Sequence, residues 1–236
     1  VVHVLAVGHK QADHKTSTMK SSESEFAFSF GLRLSFRYIE AGSFQRAGNK
    51  VTLSKPFWMA KYPVTQREWE AVMGSNPSWW KSAGPTAPVE RVSWNDCQQF
   101  IEAIGHGIRL PTEAEWEYAC NANSNRDYYV FAEPPEDETW CLGNSNVTTH
   151  PVGTKKANLW GLYDMHGNVW EWCSDWYDEY PDHDVTDPLG PDQGDYKVKR
   201  GGSWAADLHS CNAHIRKADR PAERDYLTGL RLVFSA

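Results

Sequence analysis

Between Lys199 and Val233 runs KRGGSWAADLHSCNAHIRKADRPAERDYLTGLRLV, where a thiol, two imidazoles, carboxylates and guanidinium groups crowd into one stretch. Cys211 stands between His209 and His214, a spacing that suggests a thiol nucleophile beside its base. The same two histidines, four residues apart in the gap between them, also suggest a pair of metal ligands. Neither arrangement has a recognisable third member. A lone cysteine is more often a small buried residue than a reactive one, and loop histidines are more often simply exposed. Chemistry at Cys211 or at a bound metal is therefore the alternative, against a surface built to bind.

A second candidate is acidic. PDHDVTDPLGPDQGDY brings together Asp182, Asp184, Asp187, Asp192 and Asp195. A calcium loop of the EF-hand type needs a glycine at its sixth position and a glutamate at its twelfth, and neither falls in register here. The expectation is a solvated acidic loop.

The chain has 236 residues, 40% hydrophobic, with twelve tryptophans and a formal charge of −7. That length can bury a substantial core. The acidic balance disfavours a nucleic-acid partner, which would need a broad basic face. The cysteines at 97, 120, 141, 173 and 211 form no CxxC pair, so structural zinc is not expected. No apolar run approaches the roughly 18 residues of a transmembrane helix. The opening VVHVLAVGHKQ lacks a complete signal-peptide pattern, and the expectation is a processed chain or fragment whose export signal or anchor is gone.

The elements that would position these groups are legible in part. Residues 1–25 read as a polar leader or linker and residues 26–236 as one domain. From Phe26 to Tyr38 apolar residues alternate with small or polar ones, the period of a half-buried strand. Thr65/Glu68, Ser93/Asp96 and Thr112/Glu115 each pair a capping residue with an acid three places on, predicting helices over about 66–73, 94–104 and 113–121. Asp96 makes the second a weaker box. Gly74 and Gly105 are stop signals. From Tyr128 onward the pattern predicts loops and short strands, packed by Trp160, Trp170, Trp172 and Trp176 through indole N–H bonds to loop carbonyls.

Four stretches, in order, carry a resemblance: YPVTQREWE (62–70), RLPTEAEWEYA (109–119), NLWGLYDMHGNVWEWCSDWY (158–177), and RGGSW (200–204) closing with GLRLV (229–233). Together they resemble the formylglycine-generating enzyme, or sulfatase-modifying factor, family. The resemblance spans about residues 36–236 and implies an α+β domain of C-type-lectin-like fold, loop-rich with few short helices. Arg109 and Glu115 flank a helix start and are expected to pair. In the resembling enzymes two cysteines carry the chemistry, one two residues after the aromatic of the GGS-aromatic motif and one five residues further on. Those positions are Ala206 and Cys211 here. Copper-assisted or redox chemistry at a thiolate pair needs two soft sulfur ligands, and alanine offers none. The family also implies calcium near Asn146 and the HGNVW segment, although the chain between 147 and 157 is shorter here.

The terminal stretch bears a narrower resemblance, to variable proteins of diversity-generating retroelements, whose variable region ends near a GFRLV-like sequence. Randomised adenines turn asparagine codons into those for Ala, Asp, His, Leu, Ile, Ser or Tyr, and never Lys, Glu, Gln, Met or Trp. Ala205, Ala206, Asp207, Leu208, His209, Asn212, His214, Asp225, Tyr226 and Leu227 all obey that menu, while Lys217 and Glu223 would be fixed. The expected ligand-binding residues are Ala205, Ala206, Asp207, His209, Asn212, His214, Asp225, Tyr226 and Leu227. Gly201, Gly202, Trp204, Arg216, Pro221, Arg224, Gly229 and Arg231 are expected to hold the backbone beneath them. The resemblance implies a binding protein without catalysis, lipid-anchored at the cell surface, its partner a protein or other surface molecule. The alternatives are a divergent enzyme using Cys211 or a metal, and an assembly module with these residues buried against another chain.

Overall fold

A computed structural model describes residues 22–122 and 136–236. Residues 1–21 of the expected leader, and the stretch from Tyr128 to residue 135, lie outside them.

The alternation from Phe26 to Tyr38 folds as two strands instead of one. Glu23–Ala27 pairs antiparallel with Arg33–Ile39 across a 3-10 turn at Ser29–Gly31. Phe30 (φ 60°) and Gly31 (φ 71°) are both left-handed and reverse the chain. Alternation of apolar residues registers the pleat and misses that reversal. The first strand also starts three residues inside the segment expected to be linker.

The three helices stand where their caps put them: α1 Gln66–Met73, α2 Trp94–Ile104 and α3 Glu113–Asn121. Each begins with a complete capping box, Ser93/Asp96 included, so two otherwise orphaned amides are satisfied at every start. Gly74 ends α1 in the left-handed conformation. Arg109 pairs with Glu115 through two bonds of 2.6 Å, tying the approach to α3 to its first turn.

Two four-stranded sheets carry the domain. In the first, Glu23–Ala27, Arg33–Ile39, Phe57–Ala60 and Val233–Ser235 lie side by side, so the earliest described strand and the last share one sheet. In the second the order is Arg216–Asp219, Lys197–Arg200, Trp170–Trp176 and Thr228–Gly229. Its edge strand Thr228–Gly229 runs parallel to Trp170–Trp176, and the close approach needs a glycine: a Cβ on Gly229 would stand 2.4 Å from the carbonyl oxygen of Val89.

Tryptophans fill the space between sheets and helices. Trp116, Trp170 and Trp172 are among the largest fully buried side chains. Trp172 donates to the carbonyl of Val92 (3.0 Å) and Trp116 to Glu171 (2.7 Å), so the core hides no indole N–H at these two sites without a partner. Trp160 and Trp176 are only half-buried. Trp170→Ala should cost about 3–5 kcal/mol, as a large core truncation does. Tyr226→Ala, at a side chain 51% exposed, should cost less than about 1 kcal/mol. Chemical denaturation of both variants checks the contrast, and a larger loss at Tyr226 would overturn this division into frame and tips.

Candidate ligand-binding site

The terminal stretch starts on a buried cation. Arg200, wholly inaccessible, bonds Glu113 (3.2 Å) and Glu117 (2.7 Å) on α3 and also donates to the carbonyl of Ala213. One guanidinium thus joins helix, sheet and the far end of the loop that follows it. Glu113 further receives Arg216 through two bonds (2.7 and 2.8 Å), and Glu117 receives Arg46 (2.9 Å). Against the burial that pushes it up, Arg200, the His214 side chain and Arg46 hold the Glu117 carboxyl down at about 2.

Gly201 and Gly202 come next, both left-handed (φ 100° and 79°). A Cβ on Gly202 would lie 2.6 Å from Cys211 Sγ, so the loop can close only over a glycine. Trp204 follows, its indole N–H on the carbonyl of Tyr226 (3.3 Å). Its ring meets Trp80 edge-on at 5.4 Å and lies 6.1 Å from Tyr226. These rings wall a cavity of about 550 Å³, lined by Trp79, Trp80, Arg91, Trp204, Arg224, Asp225 and Tyr226.

Of the residues expected to bind, Asp225 and Tyr226 therefore line the cavity. Asp225 is also structural: its carboxylate accepts from Lys199 Nζ (3.0 Å) and the amide of Leu227 (2.9 Å), and Lys199 helps to hold it below the usual carboxylate range despite its burial. Leu227 is half-buried, and its carbonyl accepts the amide of Trp170. Ala205, Ala206, Asp207 and His209 form the neighbouring loop. Asp207 is exposed and accepts the amide of Ser210 (2.7 Å), and the Ala206 carbonyl accepts the amide of Leu142. Asn212 and His214 differ from expectation. Asn212 is 2% exposed and accepts the amide of His214 (2.9 Å), while His214 is half-buried with Nδ1 3.4 Å from Glu117. The carbonyl of Ala213 is committed to Arg200, and that draws this end of the loop inward.

The cavity's other wall was not legible as a site. Trp79, Trp80 and Arg91 belong to the connection between α1 and α2, and the available signal was two adjacent tryptophans in a Ser, Asn and Pro-rich loop, NPSWWK. Trp79 is 65% exposed. Glu90 fixes this wall. Wholly buried, it accepts the amide of Trp80 at 2.8 Å, while its own amide donates to Ser78 Oγ (3.2 Å). Burial pushes its carboxyl up to about 7, against the pull of the Trp80 and Trp79 amides, and its Oε2 has no partner.

The thiol reading finds little purchase. Cys211 is fully buried, its Sγ 3.8 Å from the carbonyl of Ser203, and burial pushes the thiol up to about 12. Among the described residues no three His, Cys, Asp or Glu side chains gather as a metal site. At the HGNVW segment, Asn168 accepts the amide of His150 (3.1 Å), donates to its carbonyl (3.0 Å) and turns its amide nitrogen to Asp164 (3.2 Å). In the acidic stretch, Asp184 accepts the amide of Lys50 (2.8 Å) and Asp187 the amide of Ser54 (2.8 Å), so these two carboxylates fasten the loop to the neighbouring strand while remaining exposed to solvent, as the sequence predicts.

With the geometry in place, comparisons with known proteins can be read. The description sulfatase-modifying factor enzyme 1-like domain belongs to a family model that matches residues 27–236. The chain belongs to that family. Treponema denticola variable protein 1 superposes with a TM-score of 0.77 at 27% identity, over 91% of this chain and 99% of its own. The formylglycine-generating enzyme of Thermomonospora curvata is 34% identical, covering 75% of this chain, which spans 63% of that enzyme's length. The chaperone protein LppX of Paenibacillus barcinonensis is 29% identical, over 73% of this chain and 79% of its own. The fold is thus C-type-lectin-like, of the formylglycine-generating subtype. In this chain the cavity lies where Trp204 of the GGSW motif and residues 224–226 meet the α1–α2 loop.

Glu90 makes the site pH-sensitive in a defined direction. Its carboxyl in the folded protein sits above its ordinary value of 4.5. Between about 4.5 and 7 the folded state keeps a proton that the unfolded chain has lost, so stability falls as pH rises through this window. Asp164 and Asp175, both pushed up to about 6 by burial, act with the same sign. Glu90→Gln should remove its part of the decline, on the order of 2–3 kcal/mol. Denaturation at pH 5 and pH 8 checks this: parallel losses in parent and variant would show that Glu90 does not titrate there.

Proposed function

We propose that the protein is a non-catalytic binder whose site is the aromatic cavity at the closing motifs, with the loop residues beside it free to vary. The observation that carries this reading is the cavity itself. Four aromatic side chains and three charged ones converge at the end of the stretch that matches the variable-region menu, on a backbone held from beneath by Arg200 and Lys199. A rigid frame with interchangeable tips loses little ordering entropy for each new ligand, and aromatic side chains supply large contact area at low entropic cost. Likeness to a solved variable protein supports the same reading.

Ala206 occupies the first of the two positions at which the resembling enzymes carry cysteine, and Cys211 at the second is a buried, protonated thiol. That supports binding over thiol chemistry. The variable residues in this proposal are Ala205, Ala206, Asp207, His209, Tyr226 and Leu227, while Asp225 is kept for its bond to the buried Lys199. Asn212 and His214 serve the scaffold, although both types are on the menu. The proposed partner is a protein or other surface molecule, and the proposal includes display on a lipid anchor at the cell surface, as the resemblance of the terminal stretch to variable proteins implies.

A library tests the proposal. Codons 205–207, 209, 226 and 227 are varied within the adenine menu, displayed, and selected against two unrelated proteins. Selected variants should bind their own target and not the other, with melting temperatures within a few degrees of the parent. Failure to select binders, or broad loss of folding, would overturn it. In the unmodified protein, iodoacetamide should leave Cys211 unlabelled under native conditions. Rapid modification there would revive the thiol reading.

A further inference from the structure

The cavity's charges are unequally committed, and this defines the class of ligand it takes. Arg224 is spent on Asp96 through two bonds of 2.6 Å. Asp225 is spent on Lys199 and on the amide of Leu227. Glu90, behind the wall, is engaged by the Trp80 amide. Arg91 differs: among the described residues its guanidinium forms no ion pair, and it rests 5.9 Å from the centre of the exposed Trp79 ring. Its backbone is also unusual. Arg91 is left-handed (φ 61°), a conformation that strains a non-glycine residue, and it is held there by its amide bond to the carbonyl of Asp225 (2.9 Å). A glycine would suit that backbone better, so the guanidinium stands where the main chain disfavours any side chain.

Two ligand classes suit an aromatic-walled cavity. A cationic group would stack on the rings, as in an aromatic cage. Here it would meet the guanidinium of Arg91, while Arg224 is paired with Asp96 and the one lining carboxylate, Asp225, with Lys199. An anionic group meets the opposite balance. We propose, resting on the binding role argued above, that the cavity receives a flat apolar or aromatic group carrying a carboxylate: the apolar body between Trp79, Trp80, Trp204 and Tyr226, the carboxylate on Arg91. Planar guanidinium donors match a carboxylate through two parallel hydrogen bonds. Because Arg91 and both tryptophans lie outside the terminal variable stretch, this preference belongs to the fixed half of the site. The varied residues then choose among ligands that already satisfy it.

The test uses three probes that share one body: 3-phenylpropionate, 2-phenylethanol and 2-phenylethylammonium, each titrated into the full chain and followed by ligand-observed NMR. The carboxylate should bind about five- to tenfold more tightly than the alcohol at low salt, the margin narrowing as salt rises, and the ammonium most weakly. Arg91→Gly removes the cation while easing the backbone. It should bring the carboxylate down to the alcohol's affinity, leave the alcohol unchanged and not lower the melting temperature; Arg91→Lys should restore part of the preference. Ammonium binding equal to or tighter than the carboxylate would overturn the proposed charge preference and leave the cavity standing as a binding site. Loss of alcohol binding in Arg91→Gly would overturn it too, since Arg91 would then be shaping the cavity. If none of the three probes bound the parent, both this inference and the cavity as the binding site would fall.

Discussion

Arg200 is the interaction on which the rest depends. A guanidinium with no solvent access survives only if its charge and donors are met inside the protein, because desolvation costs several kcal/mol per ion. Glu113 and Glu117 meet it from one face of α3, one helical turn apart, and the Ala213 carbonyl meets it from the loop. Removing either glutamate would leave a buried charge short of a partner, which is far costlier than losing a surface pair. The requirement fixes three things together: the position of α3, the strand Lys197–Arg200, and the depth at which the terminal loop closes. It follows that the loop's outer residues can change without the loop moving, since what holds it is underneath.

The network extends outward in shells of falling burial. Arg231 and Glu171, both buried, repeat the arrangement one strand away, with Arg231 also donating to the carbonyls of Ala60 and Tyr163. Arg216, less buried, lies over the rings of Tyr177 and Tyr180 (4.4 and 3.9 Å). At the rim Arg224 binds Asp96, the acid of the capping box that starts α2. Asp96 therefore serves the helix start and the edge of the cavity at once, its carboxyl held low by Arg224 and the Ser93 amide in spite of burial. A helix cap and a site boundary are here one carboxylate.

What the sequence made legible was local. The helix limits could be read from Thr65, Ser93 and Thr112 because capping is settled by side chains within three residues of the start. The Arg109–Glu115 pair and the burial of Trp170 and Trp172 follow from spacing and size. The hairpin at Phe30–Gly31 was hidden, because apolar alternation persists through a reversal when both strands face the same core. The roles of Asn212 and His214 were hidden for a different reason. Their residue types suit an exposed variable loop, and only the inward pull of Arg200 on Ala213 turns them to the scaffold.

The largest gap concerns half of the cavity. Trp79, Trp80 and Arg91 are more than a hundred residues from Tyr226 in the chain, and no periodicity links them. They meet because Arg91 N bonds Asp225 O and Trp80 packs edge-on against Trp204. Composition offered one hint, two adjacent tryptophans in a polar loop, of which Trp79 is exposed and Trp80 half-buried. A site assembled this way divides its labour. The α1–α2 loop supplies two rings and a cation, with Trp80 held by the bond of its amide to Glu90 and Arg91 by the bond of its amide to Asp225. The terminal stretch supplies Trp204 and Tyr226 over a frame that Arg200 and Lys199 hold from beneath. Since the α1–α2 wall is held through backbone amides, a change of side chain at the exposed Tyr226 leaves that wall in place.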